Sequence, residues 1–144
     1  MSEPHNIGEV LGGKSVLGRG VTSLLDLSEA VERGLPKIAL RNVARHIYTD
    51  ASDQRAMMYR IVPEATYKRR HDRLSHAESE RTERLARVVA MAEYVWQNSE
   101  QSRRFLTTPH AEIRGRTPLD AALTELGARQ AEEIMARILY GLPS

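Results

Sequence analysis

Two features of this sequence could carry chemistry: its five histidine side chains and one glycine-rich tetrapeptide. The histidines are His5, His46, His71, His76 and His110. None of them shows the two-histidine helical spacing, with a carboxylate close by, that is typical of a metal site. The segment Gly12-Gly13-Lys14-Ser15 resembles the end of a phosphate-binding loop, but no apolar strand precedes it. We therefore predict no catalytic residue, no metal and no cofactor, and we do not expect an enzyme.

Basic side chains are the second feature that could carry function, and they gather in two segments of the first half. Residues 33–47 hold four cations and no acid, and residues 68–73 hold four cations and one acid. These cations are Arg33, Lys37, Arg41, Arg45, Lys68, Arg69, Arg70 and Arg73. Residues 98–144 hold six arginines and six acids, so their charges cancel. This asymmetry indicates two functions on one chain, although arginines that only solvate helix faces would give the same pattern.

Length and composition limit the class of protein. With 144 residues, of which 41% are apolar, the chain fits one domain of ordinary size or two small helical units with a shared core. No segment approaches the ~18 uncharged apolar residues that a membrane-spanning helix needs. Glu3 and Pro4 interrupt any signal-peptide start, and the sequence contains no cysteine. We expect a cytoplasmic protein with no membrane partner.

Local signals predict an all-α fold that follows a flexible arm. Residues 1–20 contain five glycines and no helical period, so they are predicted to lack regular structure. Beyond them, capping residues and apolar side chains at helical spacing predict helices throughout. Helix starts are predicted at Ser23, Pro36, Asp53, Pro63, Ser75, Asn98 and Thr117. The clearest signal is the Ser-x-x-Glu capping box of Ser75 and Glu78, and the last helix is predicted to end at Gly141.

One pair of these helices has the size and order of a helix-turn-helix. A short helix over 53–61 is followed by a break at Val62-Pro63 and by a second helix that is predicted to run to about His71. Helical geometry places Tyr67 and Leu74 on the inner side, while Lys68 and Arg69 project outward. Outward cations suit phosphate and base edges, but a solvated basic face is the alternative.

Several motifs of the sequence resemble the Xre/MbcA/ParS antitoxins. One runs from Leu74 to Val88 and includes Ser75-His76-Ala77-Glu78, and another runs from Thr108-Pro109 to Gly115-Arg116-Thr117-Pro118-Leu119. Two further matches are Thr124 to Gly127 and Arg137-Ile138-Leu139-Tyr140-Gly141. The resemblance spans about residues 35–144, and within the family the ParS type is the most similar.

The resemblance implies a non-enzymatic antitoxin with two domains. Residues 21–74 would form a Xre-like helix-turn-helix domain that binds operator DNA, and 75–144 would form a toxin-binding domain. The implied partner is a RES-domain toxin that consumes NAD, either by degrading it or by transferring its ADP-ribose, and whose NAD pocket the antitoxin's end blocks. A homodimer within a larger complex is also implied.

The resemblance also assigns roles by position. The expected DNA-binding residues are Thr66, Lys68, Arg69, Arg70 and Arg73. The expected toxin-binding residues are Arg116, Arg137, Tyr140, Gly141 and Leu142. Two departures leave alternatives open, because Ile61-Val62-Pro63 lacks the usual turn glycine and Tyr67 stands where leucine is commoner. One alternative is a helix-turn-helix kept only for dimerisation, and another is a stand-alone transcription factor whose second half senses a ligand.

Overall fold

The computed structural model describes residues 4–141, and these residues are arranged in helices joined by short turns. The helices are α1 (Pro4–Leu11), α2 (Lys14–Leu17), α3 (Leu24–Arg33), α4 (Lys37–Ile47), α5 (Ala51–Ile61), α6 (Glu64–Arg69), α7 (His76–Trp96), α8 (Ser99–Leu106), α9 (Pro118–Ala121) and α10 (Glu125–Tyr140). A 3-10 turn, Ala111–Ile113, lies between α8 and α9. Residues 4–141 form no β-strand, only isolated bridges, so the predicted all-α class is confirmed.

The long helix α7 stands at the centre of the fold. Ser75 and Glu78 form the predicted capping box at its start, with both reciprocal hydrogen bonds present. Residues 88–92 are buried without interruption, which means that neighbours cover this part of the helix on every side. Helices α1, α3 and α4 pack against α7, and so do α8 and α10. One apolar core therefore joins the two halves of the chain.

The first described residues contradict the predicted flexible arm. Instead of an arm over residues 1–20, the chain forms α1, which buries Ile7, Val10 and Leu11 against α4 and α7. Gly8 allows α1 to lie against the segment before α3, because a Cβ at that position would lie 2.8 Å from the Val21 Cβ. The prediction was wrong because a glycine in the sequence indicates local flexibility, whereas Gly8 lies in a close packing contact.

Local capping signals predicted the other helix boundaries well. The side chains of Ser23, Asn98 and Thr117 accept the expected N-terminal hydrogen bonds. Gly141 ends α10 in the left-handed conformation at φ 65°, as predicted. The helix predicted to run to about His71 ends earlier, at Arg69, because Arg70 adopts an extended conformation.

Helix α10 runs in the same direction as α7 and packs along its second half. Arg84 of α7 pairs with Glu125, at the start of α10, and Arg87 pairs with both Glu125 and Glu132. Gly127 lies where α10 meets α9, and a Cβ there would stand 2.0 Å from the Ala121 carbonyl oxygen. The described residues contain no helix that is long and apolar enough to cross a bilayer.

The contact at Gly127 makes a prediction about stability. We expect Gly127→Ala to destabilise the protein by about 1–3 kcal/mol, because the new methyl group must push backbone away rather than a flexible side chain. Gly20→Ala is the matched control, since nothing lies within 4 Å of a Cβ at Gly20. Urea unfolding measures both variants. Equal midpoints for the two would show that α9 and α10 are less tightly joined than the geometry indicates.

Candidate nucleic-acid and partner interfaces

The first candidate surface is α6, which Tyr67 anchors to the core. The Tyr67 hydroxyl donates to the Lys37 carbonyl at 3.1 Å, and the Lys37 Nζ lies 4.6 Å from the centre of the Tyr67 ring. Burial raises the pKa of the Tyr67 hydroxyl, although Arg41 beside it acts in the opposite direction. As expected, Tyr67 and Leu74 are buried, so the outer face of α6 has a fixed orientation.

Two of the expected DNA-binding cations lie on this outer face. Lys68 and Arg69 are both exposed. Lys68 pairs with Glu64 one turn earlier, at 2.7 Å, and Arg69 makes no ion pair within residues 4–141. Thr66 is half-buried, and its carbonyl accepts a hydrogen bond from the Arg70 backbone. Of the cations on α6, Arg69 is therefore the one whose charge no described acid balances.

The other two expected DNA-binding cations make internal contacts. Arg70 binds the Glu78 carboxylate through two hydrogen bonds, Nε to Oε1 at 3.0 Å and Nη2 to Oε2 at 2.9 Å. The Glu78 side chain is only 6% exposed. The hydrogen bond from Arg70 is the main cause that lowers the Glu78 pKa. Arg73 donates from Nη1 to the Gly34 carbonyl at 2.7 Å. Both arginines thus fix the segment between α6 and α7.

The second candidate surface is the C-terminal end of α10. Of the expected toxin-binding residues, the arginines make internal contacts and the last residues of the helix are exposed. Arg116 donates to the Ile113 carbonyl and to the Gln130 side chain, both at 3.0 Å. Arg137 pairs with Glu112 and with Glu133. Arg116 thus connects the 3-10 turn to α10, and Arg137 connects α10 to the same turn. Tyr140 and Gly141 are exposed at the helix end, and Leu142 lies outside the described residues.

Exposed apolar side chains make this helix end a candidate contact surface. Ile138 is 51% exposed and Tyr140 is 57% exposed. Tyr140 borders a shallow groove of about 430 Å³, which Met91 and Ala136 line together with the charged residues Arg87, Arg129, Glu132 and Glu133. A half-exposed tyrosine beside such a groove is the kind of side chain that protein interfaces bury. The sequence signal for this surface was the Arg-Ile-Leu-Tyr-Gly motif rather than any composition feature.

Polar contacts that the sequence did not indicate connect α5, the helix before the Val62-Pro63 turn, to α7 and α9. Arg60 of α5 pairs with Asp120 of α9 at 2.7 Å, and Arg81 of α7 donates to the Ile61 carbonyl at 2.9 Å. Burial would raise the Asp120 pKa, but hydrogen bonds from Arg60 and Thr117 outweigh it, so this pKa is lowered. The helix before the Val62-Pro63 turn is therefore attached directly to the C-terminal half.

The glycine-rich segment near the start is not a phosphate site. Gly8, Gly13, Lys14 and Ser15 have the full spacing of a phosphate-binding loop, but Gly8 lies inside α1 rather than after a strand. The Gly13 N–H donates to the Gly8 carbonyl at 2.9 Å, so it does not point to a ligand. Gly12 is required by packing, since a Cβ there would lie 2.6 Å from the Asn42 side chain.

Comparison with known families and proteins assigns both surfaces to recognised domains. Residues 26–87 match the family described as the antitoxin Xre-like helix-turn-helix domain. Residues 91–141 match the antitoxin Xre/MbcA/ParS C-terminal toxin-binding domain. The first match ends and the second begins within α7, with residues 88–90 between them. The sequence-based boundary at residues 74/75 falls at the N-cap of the same helix.

A curated relative supports the same assignment. The chain is 36% identical over 84 residues to the antitoxin Xre of Pseudomonas putida KT2440. The aligned region covers 56% of this chain and 53% of that protein. The chain thus spans about half the length of the relative it matches.

The Arg70–Glu78 pair makes a pH prediction. Because the folded-state pKa of Glu78 lies below its ordinary value of 4.5, its ionised form stabilises the fold above pH 4.5, and this contribution is lost as the pH falls through the lowered pKa. Glu78→Gln should therefore unfold at lower urea than the wild type at pH 7, and the difference should shrink at pH 3. Glu64→Gln, which breaks an exposed pair, is the control and should change the midpoint little. A Glu78→Gln deficit that is independent of pH would contradict the assignment.

Proposed function

We propose that this chain, which belongs to the Xre/MbcA/ParS family of antitoxins, neutralises a RES-domain toxin that consumes NAD and also binds the operator of its own genes. The observation that carries the proposal is the exposed apolar end of α10, with Ile138 and Tyr140 at the surface of the toxin-binding domain. The proposal places both proteins in the cytoplasm.

Inhibition is proposed to occur by occupation of the toxin's NAD pocket. Tyr140 supplies an aromatic ring at a helix end, and such a ring suits a pocket built for a planar nicotinamide or adenine base. Gly141 ends the helix there in the left-handed conformation. The proposal includes Leu142, the next residue in the sequence, in the contact with the pocket. Arg116 and Arg137 have a different proposed role. Their internal contacts orient α10 rather than reach into the pocket.

Operator binding is proposed to use α6 from two copies of the chain. Arg69 is free to reach a base edge or phosphate, and Lys68 can exchange Glu64 for phosphate. A two-fold dimer would present two such helices to repeated half-sites, which is the usual arrangement for a helix-turn-helix. Arg70 and Arg73 are proposed to support this surface from behind. The small number of uncompensated cations favours one competing function, a helix-turn-helix retained only for dimerisation.

The inhibition mechanism can be tested with the antitoxin–toxin complex. We expect Tyr140→Ala, and more strongly deletion of residues 140–144, to weaken inhibition of NAD turnover by about 30-fold or more, which is the loss typical of an aromatic hot spot. Tyr94→Ala is the control, because Tyr94 is an exposed tyrosine on α7 that does not line the Tyr140 groove. If the truncated chain still suppresses NAD turnover fully, the pocket is not blocked by this end.

Operator binding can be tested with the DNA upstream of the chain's own gene. We expect Arg69→Ala to weaken binding about tenfold, as for the loss of one base contact. Lys68→Ala should reduce the slope of log affinity against log salt by about one. Arg104→Ala, an exposed arginine on α8 that pairs with Glu100, should change neither quantity. Unchanged binding by a Lys68→Ala/Arg69→Ala double variant would move the DNA contact elsewhere, with Arg41 and Arg45 the next candidates.

A further inference from the structure

A groove of about 490 Å³ lies between α3 and α7, and Arg87 separates it from the groove beside Tyr140. Apolar and acidic side chains of α3 line one wall, charged side chains of α7 line the other, and Glu125 of α10 completes the lining. The lining residues of α3 are three or four positions apart along the helix, and so are those of α7, so one face of each helix forms one wall of the groove. We call this surface the α3/α7 groove.

The two walls of the α3/α7 groove run in opposite directions. The Leu35 N–H, just after α3, donates to the Ser79 Oγ near the start of α7 at 2.8 Å. The first residue of α3, Leu24, therefore lies toward Arg84 and Arg87, farther along α7. A channel between two antiparallel helices, with Ile7 of α1 beneath it, is the shape that accepts a third helix.

The α3 wall of the groove is apolar and incompletely covered. Leu27 and Val31 are buried at its base. Leu24, in line with them one turn earlier, is 72% exposed. A large apolar side chain that continues a buried stripe into solvent indicates a surface that a partner covers.

Acidic side chains give the groove its electrostatic character. Four carboxylates line it, from Glu32, Glu80, Glu83 and Glu125, against the guanidinium groups of Arg84 and Arg87. Both arginines pair with Glu125, at 3.3 Å and 3.0 Å. Glu32 and Glu80 are exposed at the rim, and within residues 4–141 neither carboxylate pairs with a lysine or arginine. The Glu80 carboxylate lies 3.7 Å from the His76 Nδ1. The rim therefore favours a cationic partner and disfavours DNA.

We propose that the α3/α7 groove seats a cationic amphipathic helix of the toxin. Its apolar side chains would contact Leu24 and Leu27, and its lysines or arginines would pair with Glu32 and Glu80. The inference rests on the proposed function, because it takes the toxin as the partner.

Helix α10 links this surface to the proposed inhibitory end. Glu125, its first residue, lines the groove, and Tyr140 is its last residue. Sixteen residues of helix span about 24 Å. A toxin that spans this distance would contact both places, and two linked contacts hold a partner far more tightly than either alone. A second copy of this chain fits the groove less well, because a two-fold contact would oppose acid to acid.

Helix α3 offers a matched control for each test substitution. Leu24→Ser removes the exposed apolar side chain that lines the groove, whereas Leu25→Ser changes its neighbour, which is 67% exposed and does not line it. Glu32→Lys reverses a charge on the rim, whereas Glu29→Lys reverses an exposed charge of the same helix outside the lining. All four positions are exposed, so circular dichroism should show an intact fold.

The test measures affinity for the purified product of the neighbouring toxin gene by titration calorimetry. We expect Leu24→Ser and Glu32→Lys each to weaken binding at least tenfold, and Leu25→Ser and Glu29→Lys to leave it unchanged. If the wild type binds the toxin and all four variants bind it equally, the groove proposal is wrong and the proposed function stands. If the wild type itself does not bind, the proposed function fails, and this inference fails with it. A change in the mass of the free antitoxin, with toxin affinity unaltered, would assign the groove to a second copy and overturn the proposal.

Discussion

The burial of residues 88–92 of α7 on all sides is the constraint on which the rest of the structure depends. An exposed amphipathic helix needs one apolar face, but residues 88–92 of α7 leave no polar side to face water. The helix can therefore form stably only when α1, α3 and α4 pack from one half of the chain and α8 and α10 from the other. Both halves need the same helix, which means that neither buries its core alone. We expect the chain to unfold as one cooperative unit.

Polar groups in the first turns of α7 fit this arrangement because each one has a partner. Ser79 accepts the Leu35 N–H, and the Thr82 hydroxyl donates to the Glu78 carbonyl at 2.9 Å. Glu78 is buried, and its carboxylate both caps α7 and accepts hydrogen bonds from the Arg70 guanidinium. A buried carboxylate is tolerated only with such a full set of donors. The start of α7 is thus fixed to the segment that follows α6, and this fixes the orientation of the helix-turn-helix.

The sequence predicted the features that depend on residues close together in the chain, such as helix caps. It did not predict contacts between residues that are far apart in the chain. Caps at Ser23, Ser75 and Thr117 were predictable because a hydroxyl and a nearby backbone N–H suffice to form them. The packing of Gly8 against Val21 was not, since a glycine has the same local signature in an arm and in a tight contact. The pairing of Arg60 with Asp120 joins residues 60 positions apart, and no local pattern encodes it. For the candidate sites, helical geometry predicted that Lys68 and Arg69 face outward, but it did not indicate that Arg70 binds Glu78 or that Arg73 binds the Gly34 carbonyl.

The basic run over 68–73 illustrates why charge in a sequence overstates charge on a surface. Its four cations suggest a strong attraction for DNA, yet Arg70 is paired with a buried carboxylate and Arg73 donates to a backbone carbonyl. Lys68 is already paired with Glu64, which leaves Arg69 as the main uncompensated charge of α6. Since each phosphate contact contributes separately to affinity, one copy of this helix can hold DNA only weakly. Under the proposed operator binding, useful affinity would therefore require two copies of the helix on the same DNA. Assembly would then be the step that controls binding, and a partner that changes assembly would control it too.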